Sequence, residues 1–299
     1  MQISDIHIII NPASGKSEAI LSYLQHALCK TAISWQITVG IKEDDAYTIA
    51  KNLIGKTQLI VIYGGDGSIS QVARALCGSD TPMAIIPGGT ANVMSKDLGI
   101  PQDSQDALAL IISGDTEVRQ IDMGLANGCP FVLRLNMGIM ADMILDVDTY
   151  LKNKLGQLAY GISAFKTAVT AKPVTYKMWL DDVEIIESGV SLTITNAGSI
   201  GISDMALLPG ISVSDGYLDV ILMHDTDPLS VIKVAGCTLF HTESEVLKHW
   251  RCKKITVEPE QNMHYICDDT ERQTSKLEVT LLPLALNVLV PAKKNNDVV

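Results

Sequence analysis

"IVIYGGDGSISQVARAL", residues 60–76, leads an uncharged, β-branched run into Gly64-Gly65-Asp66-Gly67-Ser68 and then into Ile69, Val72, Ala73 and Leu76 at helical spacing. Strand, glycine loop and helix in that order make an α/β unit, and the helix is predicted to stop at Gly78. A single carboxylate, Asp66, stands in the most flexible part of the unit.

The pattern recurs on both sides. "IHIIIN" reads as a buried strand, and "SEAILSYLQHAL" puts Ile20, Leu21, Leu24 and Leu28 on one helical face. "DAYTIAKNLI" is helical, "MAIIP" is a strand, and "PGGTAN" opens a further helix in "ANVMSKDLG". Alternation of this kind predicts a doubly wound parallel sheet whose ligands sit beyond the C-terminal ends of its strands.

From about residue 118 the pattern changes to short, alternating or β-branched runs: "TYKMWL", "VEIIES", "SLTITN", "YLDVILM", "KKITVE", "HYICDD" and "LEVTLL". These predict an antiparallel β domain. Two helical stretches, "YLKNKLGQLAYGISAFKTAV" and "PLSVIKVAGCTLF", interrupt it. The expected division is an α/β domain over 1–118, to which about 286–299 can return, and a β domain over 119–285.

Bulk properties narrow the function. The 299 residues carry a net charge of −11, so no global positive field draws the chain to nucleic acid or anionic lipid. The six cysteines form no CxxC pair, which disfavours a zinc site or a disulfide framework. No apolar run reaches the roughly 18 to 20 residues that span a bilayer, and the N-terminus lacks a signal-peptide pattern, so a cytoplasmic location is expected.

Three loops, "NPASGK" (11–16), "GGDGS" (64–68) and "PGGTAN" (87–92), share one design: apolar strand, glycine turn, helix start. Glycine permits positive φ and lets successive N–H groups approach an anion, so each loop suits a phosphate. Each is also an ordinary βα turn; three in consecutive units favour a nucleotide. Neither a Walker A sequence nor GxGxxG is present. Asp66 beside phosphates would repel them without a cation between, which points to a magnesium–nucleotide site.

Together "NPASGK", "IVIYGGDGSISQVARAL" and "AIIPGGTANVMSKDLGIP" resemble the diacylglycerol kinase catalytic domain, in the bacterial soluble lipid kinase branch similar to sphingosine and ceramide kinases. "RQIDMG", "LGQLAYG", "TNAGSIGISDMALLPGISVSDGYLDVIL" and "CDDTERQTSKLEVTLLPLALNVLVP" follow in the family's order. The resemblance implies a nucleotide in the cleft between an α/β domain and a β-sandwich domain. It implies ATP among Gly64, Gly65, Asp66, Gly67, Ser68, Gly89, Thr90 and Asn92, with Asn11 and Lys16 close by. It also implies a structural Mg²⁺ on Asp215 and the backbone of Ser212 and Tyr217, and a catalytic base in the family's Asp-Gly-Glu triplet, read here as Asp269, Thr270 and Glu271.

The chain departs from the family at Ser68, usually Thr, at Gln71, usually Glu, and at Val93, usually Asp. In this reading Thr270 also replaces the triplet's glycine and stiffens the turn that aims Glu271.

The leading expectation is an ATP-dependent lipid kinase acting on the hydroxyl of a diacylglycerol-like or long-chain lipid in phospholipid metabolism, with transient contact to a membrane surface. An NAD kinase-like enzyme and a non-catalytic nucleotide- or lipid-binding protein are the alternatives. The oligomeric state, a homodimer included, is left open.

Overall fold

The structure is a computed structural model that describes residues 3–14, 16–42, 45–138, 141, 172–199, 210–224 and 247–292. The chain divides into two compact units, Met1–Ile121 with Leu284–Val299, and Asp122–Pro283. Both helical stretches expected in the β domain, 150–169 and 228–240, lie outside the described residues.

The first unit contains β1 (Asp5–Ile10), α1 (Ile20–Leu28), β2 (Ser34–Val39), α2 (Asp45–Leu53), β3 (Leu59–Gly64), α3 (Asp66–Leu76), β4 (Met83–Pro87), α4 (Val93–Asp97) and α5 (Ser104–Ser113). The strands run β2-β1-β3-β4, all parallel. Every residue of β3 is buried, as a central parallel strand covered on both faces requires. α3 buries Ile69, Val72, Ala73 and Leu76, the predicted stripe; each large apolar side chain so buried is worth about 1.5–3 kcal/mol. α1 buries Ile20, Leu24 and Leu28, whereas Leu21, expected on the same face, is exposed because it lies one residue off the stripe. The order places the topological switch point between β1 and β3, so the loops after them open where ligands of such sheets bind.

The chain leaves this unit within β5 (Thr116–Ala126). The second unit then follows with β6 (Cys129–Phe131), β7 (Arg134–Gly138), β8 (Val174–Leu180), β9 (Val183–Gly189), β10 (Ser191–Thr195), β11 (Leu218–Met223), β12 (Leu247–Cys252), β13 (Lys254–Pro259), β14 (Met263–Cys267) and β15 (Thr270–Thr274). The last strand, β16 (Leu277–Pro291), begins against β13 through Lys254↔Thr280 and ends beside β4 through Val288↔Met83.

One sheet of the second unit is wholly antiparallel, in the order β12-β11-β10-β7-β14-β15. A second layer pairs β9, β8, β13 and the start of β16. Leu135, Met137, Leu192, Ile194, Val220 and Tyr265 of the first sheet share a core with Tyr176, Met178, Ile255, Val257, Leu277 and Val279 of the second. The alternate residues of the first sheet, among them Asn136, Thr193, Asp219, His249, His264 and Glu271, therefore point to its other face. This is a β-sandwich.

Candidate functional site

In the first unit the three glycine loops are hydrogen-bonded into one assembly. Asn11 N–H donates to the Tyr63 carbonyl at 3.1 Å, Gly88 N–H to Gly64 at 2.8 Å, and Lys16 N–H to Gly88 at 3.1 Å. Asn11 Nδ2 donates to Ser68 Oγ at 2.7 Å, so the first and second loops also lock through side chains. Asn92 closes the third loop on itself. Its Oδ1 accepts from Gly89 N–H and its Nδ2 donates to the Gly89 carbonyl, both at 3.0 Å.

The glycines serve close approach rather than unusual dihedrals. Gly65 has φ −86° and ψ −178°, an extended conformation open to any residue, against the expectation of positive φ. A Cβ on Gly89 would stand 2.6 Å from Gly65 Cα and 2.9 Å from Asn92 Oδ1, and one on Gly64 would stand 2.8 Å from Ser68 Cβ. The left-handed position in these loops belongs to Asn92, with φ 50°. Its side-chain bonds to Gly89 offset the cost of that conformation.

Asp66 is the first residue of α3, where a carboxylate meets the positive end of the helix dipole, and its Oδ1 accepts from Met94 N–H at 3.4 Å. Gly67 lies in the first turn of α3, and Thr90 is exposed at the tip of its loop. Lys16 is placed differently from the rest. Its ammonium donates to the Pro87 carbonyl at 2.8 Å and the Gln102 carbonyl at 2.7 Å, with Ser104 Oγ at 3.4 Å, so it pins the end of β4 to the start of α5.

Glu18, Tyr63 and Ser104, which carry no sequence signal for this role, complete the pin. Glu18 Oε1 accepts from Tyr63 OH at 2.8 Å and from Ser104 Oγ at 2.6 Å. Burial and the Glu18 hydrogen bond push the Tyr63 phenol up to about 12, so it stays a donor at any ordinary pH.

In the second unit Asp215 accepts from Tyr217 N–H at 3.1 Å and pairs with Arg251, whose guanidinium also reaches Asp219 and stacks on the Tyr217 ring. Burial raises the Asp215 pKa; Asp219 and Asp122 add to the rise, while Arg251 and the Tyr217 N–H oppose it. Asp122 and Asp219 are both buried. Asp122 Oδ2 accepts from Gly216 N–H at 2.8 Å, and Asp219 bonds His249 at 2.6 Å while its Oδ2 is buried without a partner.

Asp215 and Asp219 share one guanidinium, and hard carboxylate oxygens of this kind suit Mg²⁺ or Ca²⁺. Among the described residues no three His, Cys, Asp or Glu side chains are grouped to hold a metal alone. A cation at Asp215 would therefore need backbone oxygens such as those of Ser212 and Tyr217. Such oxygens are the donors these cations take, while Asp215 itself is held here by Arg251 and the Tyr217 N–H.

The hairpin of β14 and β15 carries the remaining candidates. Cys267 pairs with Thr270 and Ile266 with Glu271, so the two-residue turn is Asp268-Asp269, and Asp268 holds φ 52°. Thr270 is thus the first strand residue and not a turn residue, which corrects the expectation that it replaces a turn glycine. Glu271 lies on the opposite face from Thr270, exposed, with Oε1 2.7 Å from His264 Nδ1.

Asp268 was not singled out by sequence, yet its carboxylate anchors the hairpin. It accepts from Val132 N–H at 2.9 Å and from Leu133 and Arg134 N–H at 2.9 and 3.0 Å. Burial pushes its pKa up to about 6, against the pull of these three N–H groups.

Two sequence profiles divide the chain between them: the diacylglycerol kinase catalytic domain over residues 5–126, and the YegS C-terminal NAD kinase beta sandwich-like domain over residues 135–290. The chain belongs to this family of bacterial lipid kinases, an α/β catalytic domain followed by a β-sandwich.

Among its relatives is an uncharacterized protein of Synechocystis sp., 29% identical, with 97% of this chain and 71% of that protein covered. The diacylglycerol kinase of Bacillus subtilis is 26% identical, with 96% of each chain covered. A crystal structure of a diacylglycerol kinase from Bacillus anthracis superposes with a TM-score of 0.76 at 21% identity over all of both chains, which shows the shared fold. Among the described residues no helix is long and apolar enough to cross a membrane.

Proposed function

We propose that this protein is an ATP-dependent lipid kinase that transfers the γ-phosphoryl group to the hydroxyl of a diacylglycerol-like or long-chain lipid. The observation that carries the reading is the knitting of three strand–glycine–helix loops at the switch point of the parallel sheet. Backbone contact between Gly65 and Gly89 there leaves N–H groups and helix starts gathered at one place. Asn11, Gly64, Gly65, Asp66, Gly67, Ser68, Gly89, Thr90 and Asn92 would hold the nucleotide; Lys16 supports them from behind, through the Pro87 and Gln102 carbonyls.

Mg²⁺ would screen the phosphate charge beside Asp66, and a second cation would sit on Asp215 as a structural ion. Phosphoryl transfer depends chiefly on positioning and charge neutralisation, which such a cradle supplies. The relatives named diacylglycerol kinase support the lipid acceptor. The test is ATP consumption that depends on an added total lipid extract, with the phosphorylated product identified by mass. Binding of ATP without lipid product would make the protein a nucleotide-binding module instead.

A further inference from the structure

The resemblance to the diacylglycerol kinase catalytic domain implies a general base in an Asp-Gly-Glu triplet, and the hairpin of β14 and β15 carries the residues that can form it. A type I′ two-residue hairpin loop favours Asp-Gly because both central residues take positive φ; in the 268–269 loop only the first residue does, so its second place tolerates a residue other than glycine. An Asp-Gly-Glu triplet therefore fits a hairpin with Asp and Gly in the loop and Glu as the first residue of the next strand. Here the loop is Asp268-Asp269, and the first strand residue is Thr270, opposite Cys267. Asp268, with φ 52° and a carboxylate bonded to three successive N–H groups of the 132–134 segment, is the anchored first residue of the loop, the place an Asp takes in an Asp-Gly hairpin.

We infer that the triplet of this chain is Asp268-Asp269-Thr270, so that the place of the general base is held by a hydroxyl and not by the carboxylate of Glu271. The inference rests on the kinase reading and deepens it. Glu271 points to the other face of the hairpin and is already hydrogen-bonded to His264, which is in turn 2.6 Å from Gln273. A one-residue shift along a strand reverses the face, so Glu271 cannot stand in for a carboxylate at 270 by a small movement.

A second observation lies on the Thr270 face. Arg272, two residues on, has its Nε buried without a hydrogen-bond partner, while its Nη2 donates to Cys129 Sγ at 3.2 Å. That guanidinium would compensate a carboxylate at 270. The titratable groups around this position are Asp269 in the turn, Cys267 across the ladder, Arg272 with Tyr265 opposite it, and Cys129 on β6.

In the wild-type reaction the lipid hydroxyl oxygen forms the new bond to the γ-phosphorus as the bond from that phosphorus to ADP breaks. The hydroxyl proton then leaves to solvent without a carboxylate to receive it.

The experiment measures transfer from γ-labelled ATP to dioleoylglycerol in mixed micelles, for wild type, Thr270→Glu and Thr270→Gln, with ATP binding and melting curves for each. The account expects Thr270→Glu to raise kcat by at least about tenfold, toward the 10²- to 10⁴-fold that a placed base contributes, and to gain an acidic limb in its pH–rate profile. Thr270→Gln, close in size to Glu and uncharged, should gain no acidic limb and no tenfold rise, whatever its own basal rate.

A folded, ATP-binding Thr270→Glu no faster than wild type would overturn the assignment, as would a loss of 10²-fold or more in Glu271→Gln. If Thr270→Glu does not fold, Thr270→Gly with added formate replaces it, and a rate independent of formate overturns the assignment. The kinase reading itself fails by a different sign, the absence of ATP binding in every variant.

Discussion

Replacing Gly89 by Ala tests why the nucleotide loops are glycine. The new methyl would lie 2.6 Å from Gly65 Cα and 2.9 Å from Asn92 Oδ1, where ordinary contact begins near 3.4 Å. One neighbour is backbone and the other is held by its own bonds to Gly89, so no rotamer change relieves the clash. The two loops must part by nearly an ångström, and overpacking of this kind costs about 1–3 kcal/mol. For a unit of this size that lowers the melting temperature by roughly 2–4 °C per kcal/mol.

Gly65→Ala differs instructively. Its Cβ would stand 3.3 Å from Gly89 Cα on a backbone that any residue can adopt, so it should cost less than about 1 kcal/mol. Calorimetry and ATP titration of both variants give the comparison. Equal effects, or a larger effect at Gly65, would refute close approach as the reason for these glycines.

Three other changes probe the surroundings. Lys16→Met leaves the Pro87 and Gln102 carbonyls without their ammonium donor, so it should lower stability by about 1.5–3 kcal/mol; an unaltered melting curve with weakened ATP binding would instead make Lys16 a phosphate ligand. Asp268→Asn turns an amide N–H toward one of the 132–134 N–H donors and should cost about 1–3 kcal/mol, read by urea unfolding; no loss would remove the anchoring role. Asp215→Ala takes one of two carboxylates from a half-exposed Arg251 at a cost of at most about 1 kcal/mol, and wild type but not the variant should melt higher in Mg²⁺ if a cation rests there.

The pH dependence of stability has parts of opposite sign. Folded Asp268 keeps its proton to about pH 6 whereas the unfolded chain releases it near 3.8, so stability falls as pH rises through that window; Asp268→Asn should shrink this limb and leave the part from Asp215, which burial raises in the same direction. His7, lowered from 6.5 by burial, takes its proton first in the unfolded chain, so stability falls as pH drops below 6.5. A melting series from pH 4 to 8 separates the two.

Much of the architecture was legible because hydrophobic period marks it directly. The unbroken run of β3 and the stripe of α3 specify a buried strand and an amphipathic helix whatever surrounds them. The convergence of the three loops followed from their shared place after parallel strands. What was hidden depends on partners distant in sequence. Lys16 finds its carbonyls 71 and 86 residues away, and Gly65 is glycine because of Gly89, a neighbour that no local pattern reveals. The hairpin was ambiguous for another reason. With aspartate at both 268 and 269, composition does not say which two residues turn, and only the pairing of Cys267 with Thr270 fixes the register.

Lipid phosphorylation tests the central claim most directly. Wild type and Asp66→Asn, matched by melting curve, are incubated with γ-labelled ATP, Mg²⁺ and a total lipid extract, and label in the lipid phase is measured over time. The account predicts labelled lipid from wild type and none above background from Asp66→Asn, because the amide keeps the shape of the loop but not the charge that links a cation to the phosphates. Equal labelling by both proteins, or ATP bound by wild type with no lipid labelled at all, would contradict it.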